Sequence, residues 1–316
     1  MKPCKYVVTG CAGFIGSHLT EALLEAGHEV KGIDNFSEFY SRTSKEQNMA
    51  GFVGHEGFEL VEANLWNSPL ASAFSWADGV FHLAAQPGVR GSWGDSFRLY
   101  VRDNVTSTQR VFETALRYGI PVVYASSSSV YGNAAKYPTD EGTPLSPLSP
   151  YGVTKMTCDA LAEAYRAQGL SAVGLRYFTV YGPRQRPDMA FRRMIHAMLT
   201  HHTFEVLGDG HQSRDFTFVG DAVEATIRAM RADADGALNG VVNIGGGNEA
   251  SLLEVVGIVR SLSWEPLEIV RGQPAPGDVR RTCADHSLAY TVLGWKPKMP
   301  LREGLAAQLE WQKASL

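Results

Sequence analysis

The sequence predicts an α/β fold with a doubly wound parallel sheet and a smaller C-terminal lobe. Short runs of β-branched and aromatic residues alternate with longer segments that repeat apolar residues at helical spacing, as in strands joined by crossover helices. A glycine-rich turn follows the first run, at the place where many α/β proteins bind a phosphate group. Beyond Phe178 the alternation loosens into clusters of proline, arginine and glycine. This change predicts a second lobe above the carboxyl edge of the sheet.

The elements of the first lobe follow in chain order. We predict strands at residues 6–8, 29–33, 58–61, 79–83, 122–124 and 172–175, and helices at 15–26, 100–118 and 149–168. The polar segment 43–56 is predicted to be a surface excursion. We divide the chain into lobes of residues 1–178 and 179–316, and we expect a later strand near 241–244 to rejoin the sheet.

The composition argues against several classes of protein. The chain has 316 residues, of which 44% are hydrophobic and 20% charged, and its formal net charge is −4, which does not suit a nucleic-acid-binding domain. No apolar run approaches the ~20 residues that span a bilayer, and no secretory signal is recognisable. The four cysteines are far apart and form no zinc-type spacing. We therefore expect a cytoplasmic protein with free thiols, no metal, no nucleic-acid partner and no membrane partner.

The glycine-rich turn predicts a dinucleotide site. Glycine permits a tight turn and lets the backbone approach a pyrophosphate, while the start of the next helix offers free N–H groups. Asp34 ends the second strand, where a carboxylate accepts from both ribose hydroxyls and repels a 2′-phosphate, so NAD is favoured over NADP. The predicted cofactor-binding residues are Gly10, Gly13, Phe14, Ile15, Gly16, Asp34, Asn35, Leu83, Ala84 and Ala85.

A tyrosine and a lysine four positions apart predict the catalytic centre. Tyr151 and Lys155 share one face of the helix that follows the fifth strand, and Ser127 lies in a serine-rich segment before it. Oxidation of an alcohol needs a base, and a neighbouring ammonium favours the ionised form of a phenol. We assign Tyr151 as base and acid, Lys155 as the group that tunes it and holds the nicotinamide ribose, and Ser127 as the group that bonds the reacting hydroxyl.

These motifs, taken together, resemble those of the nucleotide-sugar epimerase/dehydratase family of extended short-chain dehydrogenases. The matching segments are residues 10–16, Ser127, and residues 131–132, 151–155, 176–178, 181–184 and 214–216. The resemblance implies a Rossmann-type lobe, a tightly held NAD that Leu65, Tyr151, Lys155 and Tyr177 also contact, and a UDP sugar in the second lobe. It implies oxidation of the sugar at C4, turnover of the 4-keto ring and reduction on the other face.

Two further expectations come from the same resemblance. Asn64 stands where the family usually has an Asp that bonds the adenine amino group, and its side-chain oxygen can do the same. Family members commonly form homodimers through the helices at about 100–118 and 150–168.

The residues after Ser127 distinguish branches of the family. Dehydratases resemble one another in carrying Asp-Glu there, and decarboxylases tend to carry a Glu at the second position, whereas this chain has Ser128 and Ser129. Thr179 replaces the Asn that is usual in epimerases of neutral hexoses, and residues 182–190 resemble the branch that epimerises UDP-glucuronic acid to UDP-galacturonic acid. A sugar carboxylate needs a cation and hydroxyl donors, so Thr179, Ser128 and Arg186 are its candidate ligands, with Ser129 beside them.

The nucleotide contacts are predicted from charge and from the family pattern. We expect Arg214 to bind the diphosphate, Asp278 to bond the uridine ribose, and Arg90 to face the ligand. The family often has an Arg where this chain has Ala275, which leaves Arg271, Arg280 or Arg281 to compensate.

Three readings remain open on the sequence. The first is 4-epimerisation of UDP-glucuronic acid. The second is a UDP-glucose/UDP-galactose-type epimerase or a UDP-glucuronic acid decarboxylase on the same fold. The third is an NAD-sensing protein without catalysis, which would not need Tyr151, Lys155 and Ser127 together.

Overall fold

The strands of the first half occupy the predicted positions. The computed structural model describes residues 3–234 and 240–316, and its strands are β1 Lys5–Thr9, β2 Glu29–Asp34, β3 Phe58–Glu62, β4 Gly79–His82, β5 Val122–Ser127, β6 Ala172–Tyr177, β7 Thr179–Tyr181, β8 Phe204–Leu207, β9 Ser213–Phe218, β10 Gly240–Ile244, β11 Glu249–Ser251 and β12 Ile269–Gly272. Within these ranges, seven strands form one parallel sheet in the order β10-β6-β5-β4-β1-β2-β3. The predicted doubly wound α/β fold is confirmed.

The helices pack against this sheet and within the C-terminal part. They are α1 Phe14–Glu25, α2 Arg42–Met49, α3 Ala71–Trp76, α4 Phe97–Tyr100, α5 Ser107–Tyr118, α6 Pro150–Arg166, α7 Ala190–Leu199, α8 Val219–Ala234, α9 Leu252–Leu262, α10 Ser287–Leu293 and α11 Leu301–Ala314. Helix α6 begins at Pro150 because the residues there favour a helix start. The Ser149 side chain caps the helix by accepting from the Gly152 N–H, and Pro150 takes the first helical position. None of the helices in the described part of the chain is long and apolar enough to cross a membrane.

The C-terminal half contributes to the main sheet as well as to the second lobe. Strand β10 pairs with β6 in parallel, from Gly240 opposite Val173 to Ile244 opposite Tyr177. One hydrophobic cluster joins Val8 and Leu19 of the first half to Ala222 and Val242 of the second. The boundary at residue 178 therefore stays a prediction about which part of the chain binds which ligand, since one hydrophobic core continues across it.

The second lobe begins directly at the carboxyl edge of the sheet. Strand β7 starts two residues after β6 ends, and pairs with β9, which in turn pairs with β11. A separate cluster that includes Tyr181, Phe191, Phe216 and Leu305 forms its core. This attachment places Thr179 in the wall of one cavity with Gly10, which follows β1, Leu83, which follows β4, and Ser127, which ends β5.

The prediction of a surface excursion at residues 43–56 is right for most of the segment, since nine of its 14 residues are exposed. It missed helix α2, which occupies the first part of the segment and buries Lys45, Asn48 and Met49. The Asn48 side chain donates to the Ala12 carbonyl oxygen in the glycine-rich turn (3.0 Å). Lys45 and Asn48 are buried polar side chains with polar partners inside the protein, and hydrophobic periodicity cannot detect such positions.

The helix predicted at 100–118 is longer and less regular than expected. Helix α4 begins at Phe97, and a π-helical segment, Val101–Thr106, separates it from α5. Such segments release backbone groups from the regular ladder and often occur at functional sites. Here the segment carries Asn104, whose contacts are described below.

Candidate active site

A cavity of about 640 Å³ lies at the carboxyl ends of the central strands. Its wall contains most of the predicted site residues: Gly10, Gly13, Phe14, Ile15, Gly16, Asp34, Asn35, Leu65, Leu83, Ala84, Ala85, Arg90, Ser127, Ser128, Ser129, Tyr151, Lys155, Tyr177, Thr179, Arg186 and Asp278. Asn64 and Arg214 are not part of the wall. The strand ends thus bring the predicted cofactor, catalytic and sugar residues into one space.

The glycine-rich turn leaves room that no other residue would leave. Gly10 has φ +74°, and a Cβ atom there would lie 2.9 Å from the Ala84 amide nitrogen. A Cβ atom on Gly16 would lie 2.0 Å from the Gly10 carbonyl oxygen. Gly13 is the N-cap residue of helix α1 and has no side chain to cap it. The first N–H groups of the helix therefore remain available to an anion. This is the cradle that a pyrophosphate requires.

Asp34 is held in place by backbone groups on both sides. Its Oδ1 accepts from the Phe36 N–H at 2.8 Å, and its Oδ2 accepts from the Ala12 N–H at 3.2 Å. Lys45 Nζ lies 3.6 Å from Oδ1, and both side chains are buried. A fixed carboxylate beside the glycine cradle fits the ribose of a dinucleotide.

Asn64 has a different immediate contact from the one expected. Its Oδ1 accepts from Asn35 Nδ2 at 3.0 Å, which ties the ends of β2 and β3 together. Ala63 and Leu65 form the cavity wall on either side of it. The adenine contact of Asn64 therefore stays a prediction.

Tyr151, Lys155 and Ser127 lie at the end of β5 and the start of α6, and all three line the cavity. The Lys155 ammonium is buried and donates to the Ala125 carbonyl oxygen at 2.8 Å. Ser127 ends β5, and its Oγ accepts from the Ser129 N–H at 3.1 Å, which fixes the hydroxyl at the cavity wall. All three side chains face the cavity that the glycine turn and Asp34 also line.

The Tyr151 ring is positioned by a second tyrosine. The buried Tyr100 ring packs edge-on against it, with ring centroids 6.3 Å apart. The Tyr100 hydroxyl lies 2.8 Å from the Pro87 carbonyl oxygen and 2.9 Å from that of Gly88. One residue therefore braces both the proposed base and the loop that leads to Arg90.

The π-helical segment connects the loop after β4 to the catalytic helix. Asn104 Oδ1 accepts from the Gln86 N–H at 2.7 Å, and its Nδ2 donates to the Gln86 carbonyl oxygen and to Thr154 Oγ1. Thr154 Oγ1 in turn donates to the Tyr151 carbonyl oxygen. The sequence analysis missed Asn104 and Tyr100, because neither belongs to a motif whose spacing indicates a role.

His82 supports the same loop from inside the protein. Its two ring nitrogens contact Thr9 Oγ1 at 2.8 Å and Thr108 Oγ1 at 3.0 Å. Burial, with a smaller contribution from Lys155, lowers the pKa of His82 to about 3. The ring is therefore neutral at physiological pH, and it links β1, β4 and α5 without adding charge near the cofactor.

Ser128, Thr179 and Arg186, the predicted ligands of a sugar carboxylate, all line the cavity, and we call their part of it the sugar end. Arg186 does not stand free, however. Its Nε and Nη2 donate to the two carboxylate oxygens of Asp188, each at 3.0 Å. This bidentate pair could not be predicted from the sequence, since the two residues are two positions apart in an irregular loop.

Arg90 and Asp278, predicted as separate ligand contacts, bind each other. Arg90 Nη2 lies 3.0 Å from Asp278 Oδ2 and joins the loop after β4 to the second lobe. Arg214, which is not part of the cavity wall, donates to the Ser213 carbonyl oxygen. Burial lowers the pKa of Arg214, and the charge of Asp278 partly opposes that shift. Of the three arginines considered as replacements at Ala275, Arg280 pairs with Asp209 and Arg281 with Glu249.

Three buried polar atoms in the cavity wall have no hydrogen-bond partner among the described residues. They are the Tyr40 hydroxyl, Trp66 Nε1 and Ser126 Oγ. Buried polar groups are almost always paired in folded proteins, so these atoms are available to hydrogen-bond a ligand or a water molecule in the cavity. No group of three or more His, Cys, Asp or Glu side chains in the described ranges has the arrangement of a metal site.

The family assignment follows from comparison with known sequences. The sequence model of the NAD dependent epimerase/dehydratase family matches residues 6–245. This chain belongs to that family. The resemblance deduced from the motifs is therefore confirmed, and so is NAD as the cofactor of the family.

Several similar family members cover the chain almost from end to end. An uncharacterised UDP-glucose epimerase of Bacillus subtilis (strain 168), YtcB, is 41% identical over 97% of both chains. The structure of UDP-glucuronic acid 4-epimerase from Bacillus cereus, in complex with UDP-glucuronic acid and NAD, has a TM-score of 0.93 and 38% identity, covering 99% of this chain and 100% of that one. MoeE5 in complex with UDP-glucose and NAD has a TM-score of 0.89 and 41% identity, covering 98% and 99%.

Proposed function

We propose that this family member is an isomerase that interconverts UDP-glucuronic acid and UDP-galacturonic acid by epimerisation at C4. The observation that carries the proposal is the common cavity of Tyr151, Ser127, Thr179 and Arg186. It combines an acid–base centre with hydroxyl and guanidinium donors for a sugar carboxylate. The resemblance in structure to the Bacillus cereus UDP-glucuronic acid 4-epimerase supports the same reading.

Each catalytic residue has a distinct task in this proposal. NAD, when bound, supplies the acceptor and donor of hydride for the sugar C4. Tyr151 removes the proton from the C4 hydroxyl and returns it after the ring has turned over. Ser127 orients that hydroxyl, and the buried Lys155 ammonium, held by the Ala125 carbonyl oxygen, provides positive charge beside the phenol. Asp34 and the glycine cradle would hold the ribose and the pyrophosphate of NAD.

The proposed substrate adds a second requirement. Oxidation of a uronic acid at C4 makes a β-keto acid, which loses carbon dioxide when the breaking bond aligns with the carbonyl π system. Hydrogen bonds from Thr179, Ser128 and Arg186 would hold the carboxylate out of that alignment. Replacement of Thr179 and Arg186 should therefore increase the fraction of pentose product, and an unchanged product ratio would count against these roles.

A neutral-hexose epimerase is the second candidate, and a specific contact favours it. Asp188 already occupies two donors of Arg186, and its charge would repel a sugar carboxylate. YtcB, the relative at 41% identity, carries the name UDP-glucose epimerase. The decisive experiment incubates the purified protein with UDP-glucuronic acid or UDP-glucose, without added NAD, and identifies products by NMR. Formation of UDP-galacturonic acid supports the first proposal, and UDP-galactose alone supports the second.

The same experiment tests the remaining readings. A UDP-pentose as the main product would make the protein a decarboxylase. Bound NAD with no product from any UDP sugar would favour an NAD sensor.

We also propose that two copies form a homodimer through α4, α6 and the segment between α4 and α5. The support is a set of exposed apolar side chains on these elements, Phe97, Val101 and Val153. Molar mass from light scattering should be that of a dimer, and Val153→Glu should convert it to a monomer.

A further inference from the structure

Helix α2 places a lysine beside the acid that reads the cofactor ribose. Lys45 Nζ lies 3.6 Å from Asp34 Oδ1, and it donates to Ser37 Oγ at 3.3 Å. It also lies 5.2 Å from the centre of the Tyr40 ring. Lys45, Asp34, Ser37 and Tyr40 all belong to the cavity wall.

Structural support of Asp34 does not explain this lysine. The Asp34 carboxylate already accepts from the N–H groups of Phe36 and Ala12. A buried ion pair loses much of its attraction to desolvation and is seldom a net source of stability. Burial lowers the pKa of Lys45, and the Asp34 charge opposes that shift. The ammonium is thus buried at some cost, at a place where a ligand binds.

We propose that Asp34 and Lys45 together set the choice between NAD and NADP, with Lys45 acting as a 2′-phosphate-binding group that Asp34 masks. In the native chain, the Asp34 carboxylate faces the ribose and excludes a second anion. When its charge is removed, Lys45 is left as a buried cation without a counterion, within hydrogen-bond distance of the Ser37 hydroxyl and over the Tyr40 ring. The Tyr40 hydroxyl, in the same cavity wall, has no hydrogen-bond partner among the described residues.

The inference concerns the cofactor end and does not depend on the identity of the sugar. Failure of the UDP-glucuronic acid assay would leave it intact, and its own failure would leave the epimerase proposal intact. The test therefore measures binding of nucleotides and uses no sugar.

The experiment measures the ratio of bound NADP to bound NAD in each variant. Purified protein is dialysed against equal concentrations of NAD⁺ and NADP⁺ until the bound ratio is constant, and the nucleotides released by denaturation are quantified by chromatography. For Asp34→Asn, which changes charge but hardly size, we expect the NADP-to-NAD ratio to rise by about 100-fold, since an anion–anion repulsion is removed and a charge-assisted hydrogen bond is gained. In Asp34→Asn/Lys45→Met most of that rise should be lost.

Two further variants keep the test decisive. The control adds Arg42→Met to Asp34→Asn. It removes an exposed cation that lies three residues before Lys45 and pairs with Glu46 and Glu62, and the NADP-to-NAD ratio should stay that of Asp34→Asn alone. Lys45→Met alone should also lower the NADP-to-NAD ratio, about tenfold, because it leaves the Asp34 charge without its counterion and so strengthens the repulsion of a 2′-phosphate. The inference therefore remains testable if the Asp34 variants fold poorly. Equal ratios in Asp34→Asn and the double variant, or no change in Lys45→Met, would overturn it.

Discussion

The two ends of the cavity are built in different ways. At the cofactor end, Gly10, Asp34 and Lys155 are fixed by backbone hydrogen bonds or close backbone contacts at the ends of neighbouring strands. At the sugar end, Arg186 and Arg90 are held by carboxylates on loops. The first arrangement needs no rearrangement before a ligand binds. Under the proposed function, the second exchanges the carboxylates that now hold its arginines for the anionic groups of the substrate.

The largest effect should come from the group between the two ends. Tyr151→Phe removes the proposed base and keeps the ring that packs on Tyr100, so kcat with UDP-glucuronic acid should fall about 1,000-fold. NMR time courses would measure it. The amount of NAD carried by the purified variant serves as the control and should not change. Activity within tenfold of the native protein would remove Tyr151 from the mechanism.

The rigidity of the cofactor end can be tested with a matched pair of glycines. Gly10 and Gly27 both have positive φ, +74° and +79°, but only a Cβ atom on Gly10 meets another residue. Each change to Ala should cost roughly 1–2 kcal/mol of unfolding free energy from the left-handed backbone. Only Gly10→Ala should also weaken NAD binding, by about 100-fold, because it displaces the cradle. Similar NAD affinities in the two variants would show that the turn adapts.

Acid stability offers a third test of the same region. The pKa of His82 is lowered by burial from 6.5 to about 3, so the unfolded chain takes up this proton more readily than the native one. The contribution of His82 to the free energy of unfolding is therefore fully present above about pH 6.5. It is lost as the pH falls toward 3, by about 1.4 kcal/mol per pH unit.

His82→Gln, which retains polar groups toward Thr9 and Thr108 but does not titrate, should show a shallower decline of unfolding free energy between pH 6 and pH 4 in urea titrations, by about 1.4 kcal/mol per pH unit. Parallel curves for the two proteins would mean that His82 is not buried as a neutral ring.

The smallest effect should come from the loop ion pair at the sugar end. Asp188→Asn frees Arg186 from a partly exposed partner, so KM for UDP-glucuronic acid should fall about fivefold, in line with the modest strength of such pairs. KM for UDP-glucose is the internal control and should stay the same. A rise in the first KM would mean that Asp188 orients Arg186 for the substrate instead of competing with it.

The same contrast explains what could be predicted from the sequence. The strands, the glycine turn, Asp34 and the Tyr151–Lys155 pair follow from local patterns, because strand order brings their ends together whatever the loops do. Lys45 was missed because α2 is polar apart from Met49, and two of its three buried positions, Lys45 and Asn48, carry polar side chains. The pairs Arg186–Asp188 and Arg90–Asp278 were missed because they depend on the paths of loops, and the second joins residues 188 positions apart.

The bridge between Arg90 and Asp278 also bears on ionic strength. An anionic ligand that takes the place of the Asp278 carboxylate on Arg90 gains one charge contact and loses another, so the number of paired charges hardly changes. Added salt weakens the bridge and the complex together. Affinity for a doubly charged ligand should therefore vary less with salt than its charge alone suggests.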